Sequence, residues 1–392
     1  MRQHQIVCIE ENSVGKSRWL STALVIFLTI YIAAGIYTLI QQVLDLPFPL
    51  SIFMDYSFYS QALARTLTGG DMYAIREIGP GFLYPPPALL FVDILNLIPG
   101  GLAQGALFAS LDMLMVTTLV YLVGKKYAIS LEKSTLLLVL SLAFAPFLIT
   151  AQLGQINMLT QFGLGLLFCF ALSFPWLAGL GLALAIFTKV TPVFFLLYLL
   201  ATKNFKVLLW TAVALLGVGL LAGLRYGFQP FYTYVDVFHG LTGFIPVGAK
   251  GQSLAVRLSI FGSESNIGLI QFGTTFYLLI IMLLSAWQTF RGGRSEASFI
   301  IMALAMMLSP NILWYHHYVF FLLPLIVWMG WQRENKWVTI WCLVGMLVTQ
   351  FDYFLLTGGL LIHIFGHLSI LIVLFQAAPG KMPIKNLVPV HS

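Results

Sequence analysis

The chain has 392 residues, of which 59% are hydrophobic and only 9% are charged, and its mean hydropathy is +0.92. A water-facing surface normally needs about 25% charged residues, so this composition excludes a soluble globular protein. The formal net charge of +6 is typical of membrane proteins, which concentrate Lys and Arg in cytoplasmic loops, and it does not indicate a nucleic-acid partner.

Apolar runs of membrane-crossing length recur along the chain, without the alternation of polar and apolar residues that marks a membrane β-barrel. We therefore predict an all-α polytopic membrane protein. The first run is too long for a signal-peptide core and is expected to be retained. About twelve spans are predicted, at 19–40, 102–123, 134–150, 158–174, 176–188, 192–201, 207–224, 267–290, 297–309, 318–331, 337–355 and 361–376.

The distribution of basic residues predicts the topology. With both termini in the cytoplasm, most of the 20 Lys and Arg residues fall inside. The segment 41–100 then forms a first outer loop with interfacial helices, and 225–265 forms a second large outer loop, within a single domain over 1–392. We interpret 176–201 as two short helices meeting at an outer turn. One kinked span is the alternative, and it would invert all that follows.

Asp55 stands out in the first outer loop. The stretch after it, 56–68, is amphipathic and is expected to lie flat on the bilayer through Tyr59, Leu63 and Leu67. Asp55 can be the N-cap of that helix, a catalytic carboxylate, or both.

Other polar groups occupy the remaining outer gaps. Tyr84 precedes three prolines that stiffen the chain, and its hydroxyl is a candidate contact to substrate. Gln155 and Asn157 lie in a turn beside Gly154. Their amides can bind sugar hydroxyls or the backbone of the turn itself, and the sequence leaves both possibilities open.

Four cationic or titratable residues are candidates for binding a phosphate. Lys189 lies at the broken apolar stretch, where it binds an anion or extends to the surface. Arg257 offers a planar donor fork or is an ordinary interface residue. His316 and His317 are adjacent and face different sides of a helix, which disfavours one shared metal, so we expect at least one to donate a hydrogen bond to phosphate.

Several short motifs match a known family in order and spacing. They are Asp55 with Tyr56 and Tyr59, Gly69–Tyr73, Phe82–Pro86, Gly154–Asn157, Lys189 with Thr191 and Pro192, Gln252–Leu254, and Ser309–Pro310 before His316 and His317. In this arrangement the chain resembles glycosyltransferase family 87, the polyprenyl-phosphate-mannose-dependent mannosyltransferases of the GT-C membrane superfamily.

The resemblance implies a GT-C type helical bundle that transfers a hexose, mannose first, from a polyprenyl-phosphate donor to a glycolipid or glycan hydroxyl, with inversion. It implies no cofactor and no metal, and partners limited to the donor, the acceptor and membrane lipids. Asp55 would be the base, at the outer or periplasmic face of a bacterial inner membrane. The expected sugar or acceptor contacts are Tyr56, Tyr84, Gln155, Asn157 and Gln252. The alternative is a multi-span lipid or solute transporter.

Overall fold

The structure is a computed structural model that describes residues 25–41, 43–44, 52–74, 81–243, 252–258, 266–351 and 359–377. These residues are helical or in turns and include no β-strand. In chain order the helices are α1 Val25–Gln41, α2 Met54–Leu67, α3 Leu89–Leu95, α4 Gly101–Lys126, α5 Leu131–Leu142, α6 Ala145–Leu153, α7 Asn157–Phe170, α8 Pro175–Thr188, α9 Phe195–Ala201, α10 Phe205–Tyr226, α11 Gln229–Gly243, α12 Leu254–Leu258, α13 Ile267–Phe290, α14 Ser295–Leu308, α15 Leu322–Trp331, α16 Lys336–Phe351 and α17 Leu360–Gln376. Both chain ends, with their predicted cytoplasmic placement, and parts of the two predicted outer loops lie outside this description.

A few of the described helices are long enough to cross a membrane as single helices. In the part of the chain that the structure describes, α4, α10 and α13 are long and apolar enough, and α5 with α6 adds a fourth crossing if this pair, bent by 56°, is one span. The other apolar helices have 10–17 residues, which is short of the roughly 20 that a straight span needs. The protein is an integral membrane protein whose described residues form helices without a strand, as expected, and the number of twelve spans stays a prediction.

The centre and the periphery of the bundle differ in exposure. Every residue from Ala297 to Leu308 in α14 is buried, as is every residue from Leu322 to Gly330 in α15. At the periphery, Leu216 of α10 and Leu269 of α13 are 74% and 72% exposed. Apolar side chains exposed in this way are suited to lipid, because a bilayer imposes no cost on them.

Glycines bring α7, α8 and α10 close together. A Cβ on Gly163 would overlap the carbonyl oxygen of Gly181, and one on Gly179 would lie 2.6 Å from the Cβ of Trp210. Small residues allow such close backbone approach between membrane helices. The end of α8 is thereby fixed in position, and Lys189 follows directly.

The break at Lys189 was predicted correctly. α8 ends at Thr188, Lys189 has extended backbone with φ −151° and ψ 137°, and a 3-10 turn at Thr191–Phe194 leads into α9. Pro192 lies inside that turn, where its missing N–H and fixed φ prevent a continuous α-helix. The stretch therefore consists of two short helices, and the membrane face of the break stays a prediction.

The apolar stripe of α2, which was predicted to lie on the bilayer, is inside the protein instead. Tyr59 and Leu63 of α2 are 2% and 1% exposed, and only Leu67 at the end of the helix reaches the surface. The apolar stripe is covered by α3, α4 and α6 of the same chain. An amphipathic pattern gives a stripe that needs cover, but it does not distinguish lipid from protein as the cover.

The N-cap interpretation of Asp55 is also wrong. Phe53 is the N-cap of α2, with φ at +53°, and Asp55 lies one residue inside the first turn. The backbone N–H of Phe53 donates to the carbonyl oxygen of Gln152 over 2.8 Å. This bond fixes the start of α2 to the end of α6 and leaves the Asp55 side chain available for another role.

Candidate active site

The carboxyl group of Asp55 is enclosed by protein. Asp55 is 8% exposed, and its Oδ2 accepts a hydrogen bond from the Nε2–H of Gln155. Burial raises the pKa of Asp55 to about 7, because a low-dielectric environment penalises the charged form. A carboxylate that binds protons near neutral pH is suited to act as a general base.

Gln155 reaches Asp55 through the tight turn between α6 and α7. Gly154 ends α6 with φ at +68°, a conformation that favours glycine, and a Cβ there would lie 2.7 Å from the Cβ of Tyr56. The backbone N–H of Gln155 donates to the carbonyl oxygen of Thr150 over 2.9 Å. The turn is thus compact, and it brings one amide side chain against α2.

Two phenols fix the direction of the Gln155 amide. The hydroxyls of Tyr59 and Tyr84 donate to its Oε1 over 3.2 and 3.0 Å. With Oε1 occupied as an acceptor, the NH₂ end is directed to Asp55. The hydroxyl of Tyr73 donates to the carbonyl oxygen of Tyr84 over 2.7 Å, which holds the segment before the three prolines in place.

Two of the predicted sugar contacts are enclosed. The hydroxyl of Tyr56 donates to Oε1 of Gln104 over 3.3 Å, and Tyr56 is 2% exposed. Asn157 is fully buried at the first position of α7. Of this group, Tyr84 and Gln155 lie closest to the Asp55 carboxyl in the hydrogen-bond network, and the roles of Tyr56 and Asn157 in binding sugar stay predictions.

A cationic cluster combines Lys189 with the two histidines. The Nζ of Lys189 is 5.0 Å from the ring centroid of Phe320, and the rings of His316 and His317 are 4.5 Å apart. Burial lowers the pKa of Lys189 to about 7. Burial, and then the charge of Lys189, lowers the pKa of His316 to about 3 and also lowers the pKa of His317. Both imidazoles are therefore neutral at pH 7.

The proton of His317 can be assigned from its partner. The backbone N–H of Trp314 donates to Nδ1 of His317 over 3.2 Å. In a neutral imidazole the other nitrogen, Nε2, then carries the proton and is a donor. This is the property that binding a phosphate oxygen requires.

Thr150 connects the cationic cluster to the Asp55 region. Its hydroxyl donates to the carbonyl oxygen of His316 over 3.2 Å, and its own carbonyl oxygen accepts from the backbone of Gln155. One residue of α6 therefore contacts both segments. The structure brings together carboxyl and cation segments that are far apart in the sequence.

Gln252 lies against the same histidine segment, whereas Arg257 lies further along. The backbone N–H of Gln252 donates to the carbonyl oxygen of Leu313 over 2.7 Å, and the hydroxyl of Tyr318 donates to the carbonyl of Gln252 over 3.3 Å. Arg257 is 6% exposed, and its charge acts on His363 of α17. A direct role of either side chain toward substrate stays a prediction.

Some residues of this network were not among the predicted site residues. Tyr59, Tyr73 and Thr150 donate hydrogen bonds to the predicted residues, and Gln104 accepts one from Tyr56. The motif Gly69–Tyr73 was a usable signal for Tyr73, but Gln104 and Thr150 lie within apolar helices. Their partners are distant in sequence, so spacing alone does not identify them.

A helical membrane bundle with an enclosed carboxyl of raised pKa, and with a lysine and two neutral histidines on a segment that Thr150 connects to the carboxyl region, defines a candidate membrane-embedded group-transfer enzyme. The family model for Glycosyltransferase family 87 matches residues 82–310. The chain belongs to this family and is a glycosyltransferase. The matched region includes Tyr84, Gln155 and Lys189, whereas Asp55 and His316 lie outside it.

Similar proteins come from mycobacteria. A Mycobacterium tuberculosis protein named polyprenol-phosphate-mannose-dependent alpha-(1-2)-phosphatidylinositol mannoside mannosyltransferase is 27% identical over 314 residues, which are 73% of this chain and 71% of that protein. A Mycolicibacterium smegmatis protein of the same name is 28% identical over 210 residues, which are 50% of this chain and 47% of that protein. A second M. tuberculosis protein, whose name specifies phosphatidylinositol pentamannoside, is 26% identical over 263 residues. These are 65% of this chain and 60% of that protein.

Proposed function

We propose that this glycosyltransferase moves mannose from a polyprenyl-phosphate donor to a hydroxyl of a glycolipid acceptor. The names of the mycobacterial relatives support both the donor and the class of acceptor. The observation that carries the proposal is the enclosed Asp55 carboxylate held by Gln155, since transfer to a hydroxyl needs a base. Nothing in the family or the relatives supports the transporter alternative.

Asp55 is the general base in this proposal. Its carboxylate takes the proton of the acceptor hydroxyl while that oxygen forms a bond to the anomeric carbon. The bond from that carbon to the phosphate oxygen breaks on the opposite face, and its electron pair leaves with the polyprenyl phosphate. Attack opposite the leaving group inverts the anomeric configuration.

The cationic cluster stabilises the leaving phosphate. Lys189 supplies a positive charge, and His317 donates its Nε2–H, with His316 and Arg257 as further contacts. A charge-assisted hydrogen bond contributes roughly 1.5–3 kcal/mol when it is made to a charged group. These groups supply the stabilisation for which other transferases use a metal ion, so activity should persist in EDTA.

Sugar and acceptor hydroxyls are bound by the amides and phenols. Tyr84 and Gln155 lie beside the base, and Gln252 lies beside the histidine segment. Tyr56 and Asn157 line the enclosed part of the same region and would contact sugar after a local rearrangement.

We place this site at the outer, periplasmic face of a bacterial inner membrane, with both termini in the cytoplasm. The distribution of basic residues supports this orientation. The ion pair between Arg225 and Asp93, with an Nε to Oδ2 distance of 2.7 Å, supports the placement of α3 and the end of α10 on one face.

Purified protein in proteoliposomes tests the function. Radiolabelled polyprenyl-phosphate-mannose, -glucose and -arabinose are supplied separately with a phosphatidylinositol mannoside acceptor, with and without EDTA. We expect label in the acceptor lipid from the mannose donor in both buffers. Transfer from another donor would change the assigned sugar. Loss of transfer in EDTA that Mn²⁺ restores would overturn the metal-free mechanism. Movement of intact donor between leaflets without transfer would favour a transporter.

A further inference from the structure

A groove lies where α12, α13 and α17 meet, and the proposed reaction gives it no role. Its volume is about 470 Å³. The residues that line it come from all three helices and are Leu254 of α12, Ile270, Gly273, Thr274 and Tyr277 of α13, and His367 of α17. The ring centroids of Tyr277 and His367 are 5.8 Å apart, so the two rings meet across the groove.

The walls of the groove are fixed to the buried helix α14. The side-chain amide of Gln271 in α13 donates to the carbonyl oxygen of Ser309 over 2.9 Å. A Cβ on Gly366 of α17 would lie 2.9 Å from a methyl carbon of Leu308. Both walls are therefore held at the end of α14, so the space between them belongs to the fold.

The lining of the groove is mostly apolar. The four lining residues of α13 have the spacing i, i+3, i+4 and i+7, so they form one stripe about 10 Å long at a rise of 1.5 Å per residue. The hydroxyl of Thr274 donates to the carbonyl oxygen of Ile270 over 2.8 Å and needs no partner in the groove. Both ring nitrogens of His367 are buried, so ring carbon faces the groove. This lining suits a hydrocarbon chain.

The groove has free space and lies beside a surface that suits lipid. A Cβ on Gly273 would meet no atom of the described residues within 4 Å. On the same helix Leu269, Phe272 and Phe276 are 72%, 68% and 54% exposed. Apolar side chains exposed in this way are suited to a bilayer. A chain in the membrane can therefore enter the groove from the side.

One end of the groove adjoins the cationic cluster. Leu254 follows Gln252 by two residues, and the backbone N–H of Gln252 donates to the carbonyl oxygen of Leu313 over 2.7 Å. The next residue, Trp314, donates its backbone N–H to Nδ1 of His317. A molecule that lies along Leu254 thus has its end near the histidine that is proposed to meet the phosphate.

We propose that this groove binds the first isoprene units of the polyprenyl-phosphate donor, those next to the phosphate. A stripe of about 10 Å has room for only a short part of a polyprenyl chain, and the remainder stays in the bilayer. The phosphate carries this chain directly, so a chain in the groove directs the phosphate toward His317 and Lys189. The choice of the donor chain over an acyl chain of the acceptor rests on the proposed function.

Filling the groove tests the proposal by kinetics. Gly273→Leu places a side chain in the free space, and leucine favours a helix more than glycine does. We expect the donor KM to rise about three- to tenfold with kcat unchanged, because the variant removes binding that substrate and transition state share. Gly268→Leu is the matched control, since a Cβ there also meets no described atom within 4 Å and Gly268 does not line the groove. An unchanged donor KM, or a rise in the acceptor KM instead, would overturn the proposal.

Photolabelling tests binding without any transfer reaction. Purified protein in proteoliposomes is labelled with geranylgeranyl phosphate that carries a diazirine near the phosphate, and labelled residues are located by mass spectrometry. We expect label within Ile270–Tyr277 or at His367, lost with excess unlabelled polyprenyl phosphate and reduced in Gly273→Leu but not in Gly268→Leu. Competition by phosphatidylinositol mannoside alone would assign the groove to the acceptor, and label that neither lipid displaces would mean bulk lipid only; either result overturns the proposal. Label as expected in a protein that transfers no mannose would refute the proposed function and leave the groove assignment intact.

Discussion

The side-chain amide of Gln155 donates to Asp55 at one end and accepts from Tyr59 and Tyr84 at the other. Donation to Asp55 favours its charged form, whereas burial favours the neutral form. The two effects oppose each other at one carboxyl group. A base formed in this way ionises near neutral pH and is held in one orientation.

Replacing Gln155 by Leu should shift the pH dependence of the reaction. Loss of the donor raises the pKa of Asp55, so the acid limb of kcat/KM moves to higher pH, and activity below about pH 7 falls more than activity above it. The measurement is kcat/KM from about pH 5 to 9, with the exposed Gln229→Leu as control. An acid limb at the wild-type position would contradict the link between Gln155 and the base.

Asp55→Asn should abolish most turnover while leaving the fold intact. Asn has the same shape and can still accept from Gln155, but it cannot take a proton. We expect kcat to fall about 10²–10⁴-fold, as is typical for loss of a general base. The exposed Asp236→Asn is the matched control, and donor binding should stay near wild type. Normal transfer by the purified variant would remove Asp55 from the catalytic role.

The sequence predicted the helical membrane class and the segments that contain the helices, because apolar runs and prolines act locally. The break at Lys189 was found in the same way. The features that the sequence did not predict depend on which helices pack over a given surface. Tyr59 and Leu63 were assigned to lipid because their spacing is amphipathic, and the covering helices α3, α4 and α6 follow later in the chain. The prediction of Asp55 as the N-cap was wrong because Phe53, in the left-handed conformation, precedes the first residue of α2.

Cysteine labelling tests the predicted orientation. In a variant without the native Cys8, Cys169 and Cys342, Thr68→Cys and Gln229→Cys should react with an impermeant maleimide in intact spheroplasts. The exposed Lys133→Cys and Lys206→Cys should react only after permeabilisation. A reversed pattern at both Lys206 and Gln229, with Thr68 and Lys133 as expected, would mean that 176–201 crosses as a single span, because every later segment would then invert.

Lys189 should define the alkaline limit of activity. Burial lowers its pKa to about 7, so in the free enzyme its positive charge is present below that pH and is lost above it. Asp55, with a pKa of about 7, has the opposite dependence, since it works as a base only when deprotonated. The profile of kcat/KM should therefore be a narrow bell near neutral pH. His316 stays neutral throughout this range, because its pKa is about 3.

Two substitutions at Lys189 separate its charge from its shape. Lys189→Arg keeps a positive charge at all accessible pH values, so the alkaline limb should disappear while the acid limb set by Asp55 remains. Lys189→Ala should lower kcat/KM for the donor about ten- to hundred-fold, since it removes one charge-assisted contact. The exposed Lys206→Ala controls for a change in surface charge. If Lys189→Arg retains the alkaline limb, the limb belongs to another group, and Lys189 is not the cation that meets the leaving phosphate.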